Sequence, residues 1–289
     1  MQLDGRRESS NVDDRRRLSG GTKAGLGLGG IVIVGLLTLM MGGDLGDVFR
    51  IVAGSGGLQT TTTQTSTREF TAQEQELATF AKRILASTED VWTAEFAKYG
   101  LNYQAPTMVL YSGATTSGCG SATSSVGPFY CSADQCLYID LSFFSSMKKQ
   151  LGADGDFAYA YVIAHEVGHH VQHLLGTLGQ AHQQMARMST TESNKMSVRI
   201  ELQADYYAGV WGYHENDMYK SLDDGDLREA IDCAEVIGDN YLQKKASGTV
   251  KPDLFTHGTS AQRMKWLKKG LSSGDIRGGD TFSVSYSAL

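Results

Sequence analysis

The chain has 289 residues, 41% hydrophobic and 20% charged, which is enough for one substantial globular domain with accessory segments and excludes a peptide-sized scaffold. A net charge of −6, with no basic stripe in the globular part, excludes a nucleic-acid-binding protein, because a phosphate backbone is held by clustered Lys and Arg. Only three Pro but 34 Gly, many of them early in the chain, point to a leader ahead of a helix-rich body.

From Ala24 to Gly43, AGLGLGGIVIVGLLTLMMGG, twenty consecutive residues carry no charge. At about 1.5 Å of rise per helical residue this run matches a hydrocarbon core of roughly 30 Å, so residues 24–43 are expected to be a transmembrane anchor. Arg6, Arg7, Arg15, Arg16, Arg17 and Lys23 precede it, and Asp44 and Asp47 follow. That asymmetry places a basic segment, 1–23, in the cytoplasm and everything after the anchor outside a bacterial cytoplasmic membrane, in single-pass topology. A cleaved signal peptide is the competing reading, although no small-x-small site follows Met41. A buried core helix fits less well, since a Gly-rich helix that is apolar all round packs poorly in a water-soluble core. Residues 44–68, including the stretch AGSGGLQTTTTQTST, have little to bury and read as a flexible linker.

The folded domain is then expected over residues 69–289, helix-rich, of α+β class with a small sheet. Between Thr71 and Tyr99, the positions Leu77, Phe80, Ile84, Leu85, Val91, Trp92 and Phe96 recur at helical steps. They predict an amphipathic helix or a bent pair, started by a capping box of Thr71 and Glu74. Thr107–Tyr111 (TMVLY) and Leu137–Leu141 (LYIDL) predict short strands, separated by a Gly/Ser/Thr-rich loop that carries Cys119, Cys131 and Cys136. From Phe157 onward the patterns are helical, over 157–175, about 193–215, 226–244 and 259–271.

The sharpest feature is His165-Glu166-Val167-Gly168-His169, an HExxH element inside the apolar run AYAYVIAHEVGHHVQHLL. Residues four apart share a helix face, so both imidazoles can reach one metal ion while Glu166 reaches a water on it. Two histidines and a glutamate on an apolar helix would be costly to bury without a common partner. A tetrahedral catalytic zinc lacks one more protein ligand. A metzincin would take it from positions 172 and 175, but Gln172 and Leu175 stand there. His173 lies eight residues from His165, about 12 Å along the axis and too far for one ion, and His170 points to another side.

Glu201 is the better candidate, in Arg199-Ile-Glu201-Leu-Gln-Ala-Asp205 on another predicted helix. Glu201 and Asp205 lie one turn apart, so one carboxylate can bind the metal while the other accepts the spare N–H of a ligand histidine. In isolation such a pair is also common on solvated helix surfaces. A cysteine third ligand, from Cys119, Cys131 or Cys136, stays open as the alternative. Zinc held by two His and a Glu keeps a position for water and lowers its pKa, and Glu166 is the expected general base for attack on a peptide carbonyl. Oxyanion stabilisation needs a further donor, for which His257 in THGTSAQR is the candidate, with Arg263 orienting or assisting. His257 could equally be no more than a helix-entry histidine. A substrate peptide could also add to an exposed strand edge, and Leu137–Leu141 offers either that edge or a plain core strand.

Six blocks in order, GRRESSNVDDRR, GCGSATSSVGPFYC, DQCLYIDLSFF, HEVGHHVQ, ELQADYYAGVW and THGTSAQR, resemble the bacterial family called "putative neutral zinc metallopeptidase", over nearly the whole chain. The resemblance implies single-pass membrane proteins with a zincin-type domain, one Zn2+ held by His165, His169 and Glu201, Glu166 as the catalytic residue and Asp205 in support. It does not supply a substrate. Cys136 and Cys233 depart from the family's pattern more than Cys119 and Cys131 do. In an extracytoplasmic domain four cysteines allow three pairings. Cys119 with Cys131 is expected first and Cys136 with Cys233 second, and reduced, buried thiols are the alternative.

The expected function is therefore zinc-dependent hydrolysis of peptide bonds, with a peptide or protein as substrate and the lipid bilayer as a partner through residues 24–43. Two rivals are a catalytically silent membrane-anchored binding module and a zinc hydrolase of non-peptide amides. Intact Glu166 argues against the first, because a binding module has no need of a base.

Overall fold

The computed structural model describes residues 1–17 and 69–289. The expected anchor, 24–43, and linker, 44–68, lie outside the described residues, and among the described residues no helix is long and apolar enough to cross a membrane.

A small sheet and a set of packed helices make an α+β fold. Strands β1 (Val12–Asp14), β2 (Thr107–Tyr111), β6 (Cys136–Asp140) and β5 (Phe129–Cys131) lie side by side in that order. The first three are parallel and β5 runs antiparallel to β6. Strands β3 (Ala114–Ser117) and β4 (Gly120–Thr123) form a separate hairpin inside what the sequence reads as a loop. The LYIDL strand is thus a core strand, flanked on both sides. The end of the sheet is β5, too short for periodicity to reveal.

The first long helix, α1 (Ala72–Lys98), is continuous rather than a bent pair and opens on the expected capping box of Thr71 and Glu74. Helix α2 (Ser142–Leu151) follows β6, then α3 (Asp156–Leu174), α4 (Thr177–Met185) and the long α5 (Thr190–Tyr219). The helix expected over 226–244 is two, α6 (Asp224–Val236) and α7 (Asp239–Ser247), and α8 (Ser260–Ser273) is the last. The break falls at Gly238, where a Cβ would stand 2.3 Å from the Ser260 backbone nitrogen, so the chain must turn there to admit α8. Trp92, Trp211, Tyr161, Tyr206 and Phe157 fill the core between α1, α3 and α5.

One finding corrects the expected domain boundary. The basic segment that the sequence reading sets apart as 1–23 is, over residues 1–17, part of the domain. Val12, Asp13 and Asp14 register against Met108, Val109 and Leu110. Arg6 pairs with the fully buried Glu215 at 2.9 Å, Arg7 with Glu89 at 2.9 Å, and Arg16 donates to the Glu74 carbonyl at 2.9 Å. Arg6 and Arg7 thus neutralise carboxylates of the domain, and Arg16, paired with Asp14 beside it, ties the segment to the start of α1.

Candidate metal centre

Helix α3 is apolar on nearly every face, and Ala160, Ile163, Ala164, Val167 and Val171 have no exposure, which seats the HExxH turn deep in the molecule. The imidazoles of His165 and His169 stand one turn apart, with centroids 4.8 Å apart and planes near perpendicular. Gly168 sets how close the next element can come. A Cβ there would lie 2.9 Å from the Ala204 carbonyl oxygen and 3.1 Å from its Cα, so α3 and α5 meet backbone to backbone. Ala204 lies between Glu201 and Asp205, and this contact delivers both carboxylates to the histidines.

Ligand atoms of His165, His169 and Glu201 all fall within 4.8 Å of one another. His165 Nε2 is 3.1 Å from Glu201 Oε2, and His169 Nε2 is 3.5 Å from Glu201 Oε1. Tetrahedral zinc with bonds of about 2.0–2.1 Å sets its donors about 3.3 Å apart, a spacing that these two distances bracket. The far nitrogens are held so that Nε2 faces the common point. His165 Nδ1 lies 2.8 Å from Asp205 Oδ1 and His169 Nδ1 lies 2.9 Å from Gln172 Oε1. A ligand imidazole with its second N–H so fixed presents its lone pair in one direction. The donor set fits a zinc ion.

Behind His165, Asp205 is fully buried and saturated. Arg263 donates from Nε and Nη2 at 2.9 Å each, and the Tyr161 hydroxyl donates at 2.6 Å. Burial alone would lift the Asp205 carboxyl, but Arg263 and His165 outweigh it and hold it at about 2. Burial lowers His165, yet Asp205 and Glu201 raise it to about 10, the response of an imidazole between two carboxylates where a cation belongs. Burial likewise opposes the charge on Glu201, and His169, His257 and His165 overcome it, keeping this carboxyl well below its ordinary range. Glu166 goes the other way: burial pushes it up against the pull of the two histidines.

His257 lines the same cleft, which has a volume of about 380 Å³. It is presented by Asp239 at the start of α7. Asp239 Oδ2 accepts the backbone N–H groups of Thr256, His257 and Gly258 at 2.8, 2.8 and 2.9 Å, while Oδ1 lies 3.4 Å from His257 Nδ1. Burial lowers His257, and Glu201 and Asp239 raise it above an ordinary histidine. Because Nδ1 faces Asp239 and the Thr256 hydroxyl, Nε2 is the ring nitrogen left for the cleft.

The structure thus brings His165, Glu166, His169, Glu201, His257 and Arg263 to one cleft, with Asp205 directly behind. Arg263 is 4% exposed and engaged with Asp205, so it braces that carboxylate. His170 is buried between the Tyr130 hydroxyl at 3.0 Å and the Gln104 carbonyl at 2.6 Å, away from the ligand group, and burial lowers it to about 4. His173 stacks on it. Cys119 and Cys131 form a disulfide that ties the β3–β4 turn to β5. The expected Cys136–Cys233 bridge is absent: both thiols are free, Cys136 on a strand and Cys233 buried on α6 against the Met147 sulfur. Cys119 and Cys131 are thus joined to each other, and Cys136 lies outside the group of His165, His169 and Glu201. Gln172, Tyr161 and Asp239 escape the sequence reading. A polar residue at an apolar helix position is their only trace, and it names no partner.

The model of the family described as "Putative neutral zinc metallopeptidase" matches residues 1–282. A protein of Escherichia coli strain K12, "Uncharacterized protein YpfJ", is 48% identical over 293 residues, covering 99% of this chain and 100% of the relative. "Uncharacterized protein Rv2575" of Mycobacterium tuberculosis strain H37Rv is 42% identical over 193 residues, 63% of this chain and 64% of the relative. No solved structure matches.

Proposed function

The chain belongs to the putative neutral zinc metallopeptidase family, and from that premise we propose that it hydrolyses peptide bonds at the centre formed by His165, His169, Glu201 and Glu166. The observation that carries this reading is the convergence of two imidazoles and a carboxylate within 4.8 Å, in the cleft that Glu166 also lines. A zinc ion held there would polarise a substrate carbonyl and bring a water's pKa toward neutrality. Glu166, with its carboxyl lifted by burial, takes a proton from the attacking water and returns it to the amine nitrogen as the C–N bond breaks. His257 Nε2 donates to the carbonyl oxygen as negative charge develops on it.

The cleft walls describe a substrate. Phe143, Leu151, Val162 and Ile237 line part of it, and Leu178, Met185 and Ile200 another. The strand β5, at the end of the sheet, contributes Phe129 and Tyr130. An extended peptide laid along β5 with large apolar side chains next to the scissile bond fits these walls.

Zinc analysis and digestion of a peptide library by the purified chain, with Glu166→Gln in parallel, test the reading. One zinc per chain in both proteins, and a loss of cleavage of about 10²–10⁴-fold in the variant, is the expected result. Equal cleavage by the variant, or none by the parent with zinc bound, would overturn it.

A further inference from the structure

We propose that Gln203 is a positioning residue of the metal centre: through Gln172 it carries the polarity of a backbone carbonyl in the C-terminal segment to His169, and so decides which ring nitrogen that histidine keeps for zinc. The inference rests on the zinc reading of the site and not on what the site cleaves.

The C-terminal segment is clamped to α5. Arg199 donates to the Val284 carbonyl at 2.9 Å, the Thr281 hydroxyl donates to the Arg199 carbonyl at 2.7 Å, and the Tyr206 hydroxyl donates to the Asp275 carbonyl at 2.5 Å. Arg199, Gln203 and Tyr206 stand at steps of four and three residues, so they share one face of the helix. Gln203 thus meets a backbone that is held on either side of it, and its Nε2 donates to the Gly279 carbonyl at 2.8 Å.

A carbonyl oxygen only accepts, so that bond decides how the Gln203 amide is turned. Its Oε1 is left for Gln172, whose Nε2 donates to it at 3.0 Å and to the Ile200 carbonyl at 2.7 Å. Both N–H bonds of the Gln172 amide are then engaged. Its Oε1 faces His169 Nδ1, 2.9 Å away. An amide oxygen cannot donate, so Nδ1 must carry the proton, and the Nε2 lone pair is the one left for a metal ion. Both glutamines are buried. Turned the wrong way there, the Gln172 amide would set oxygen against oxygen at Ile200 and Gln203, at the cost of unpaired buried groups. Asp205 fixes the other ligand histidine, His165, with a charged carboxylate. The two amides do the same for His169 and add no charge to a site that already holds Glu166, Glu201 and Asp205.

Zinc affinity of the full chain, measured by competition with a chelator, tests this in Gln172→Leu, Gln203→Leu and the double variant, with Tm recorded for each. Gln172→Leu is expected to weaken zinc by about 10–100-fold and Gln203→Leu by a smaller factor. The double variant is expected to lose no more than Gln172→Leu alone, because Gln203 acts through Gln172. A Gln203→Leu chain whose Tm falls while its zinc affinity stays unchanged, or a double variant that shows the product of the two losses, would overturn the proposal. A second measurement needs no variant. Long-range nitrogen–proton correlation spectra of the zinc-loaded parent are expected to place the His169 proton on Nδ1, and a proton on Nε2 would overturn the proposal. Neither measurement reads cleavage, so an inactive chain with this tautomer would contradict the proposed function alone. A parent that retains no zinc would overturn the zinc reading, and this inference with it.

Discussion

At the residue scale, the account turns on carboxylates that are buried because each has a cation or a donor assigned to it. Asp205 accepts from His165, Tyr161 and both donors of Arg263. Replacing it with Ala leaves Arg263 charged and buried without its partner, which costs about 3–5 kcal/mol, and frees His165 to rotate, which weakens zinc by about 10–100-fold. Thermal unfolding and competition with a zinc chelator read the two effects separately. His257→Ala is expected to keep zinc and lose about 10²–10³ in kcat, as for removal of one oxyanion donor. Steady-state kinetics with zinc content checks this, and an unchanged kcat would return His257 to a structural role. That His165 and His169 share a face was legible in the sequence, because a helix period converts spacing into a shared face. Asp239 and Gln172 were not: Asp239 acts on the backbone of 256–258, which only the tertiary fold brings near, and Gln172, although one turn from His169, is set in place by the Ile200 carbonyl of another helix.

At the element scale, the crossing of α3 and α5 is set by a missing side chain. Gly168→Ala would place a methyl 2.9 Å from the Ala204 carbonyl, so the helices must part. Overpacking of this kind costs about 1–3 kcal/mol. The larger consequence is chemical, since Glu201 moves away from both imidazoles. Zinc affinity is expected to fall more than Tm does, and a variant that binds zinc normally would show that the contact is not what sets the site. The helices were largely legible because their apolar positions are periodic over many residues, as in α1 and α3. The short elements were not. Strand β1 has only Val12, Asp13 and Asp14, two of them charged, and is a strand because β2 offers it an edge. The 226–244 periodicity runs on through Ile237 and Gly238, and only the approach of Ser260 requires the chain to break there.

At the scale of the whole molecule, the N-terminal seventeen residues join the domain through β1, through Arg6 and Arg7 on carboxylates and through Arg15 and Arg16 on backbone carbonyls, so composition misled where it read basic residues as a separate segment. Arg6→Ala is expected to destabilise the domain by about 3–5 kcal/mol, since among the described residues Glu215 is left buried with the Ser87 and Ser221 hydroxyls as its donors. Differential scanning calorimetry measures it, and a change under about 0.5 kcal/mol, typical of a surface substitution, would contradict the pairing. The same burial makes the catalytic reading a statement about the fold: α3 supplies two imidazoles and a base, α5 one ligand and its support, α8 the arginine behind them. X-ray absorption at the zinc edge of the purified chain tests that convergence most directly. The account predicts only nitrogen and oxygen donors at about 2.0–2.1 Å, including two imidazoles, whereas a sulfur donor near 2.3 Å, or failure to retain zinc, would contradict it.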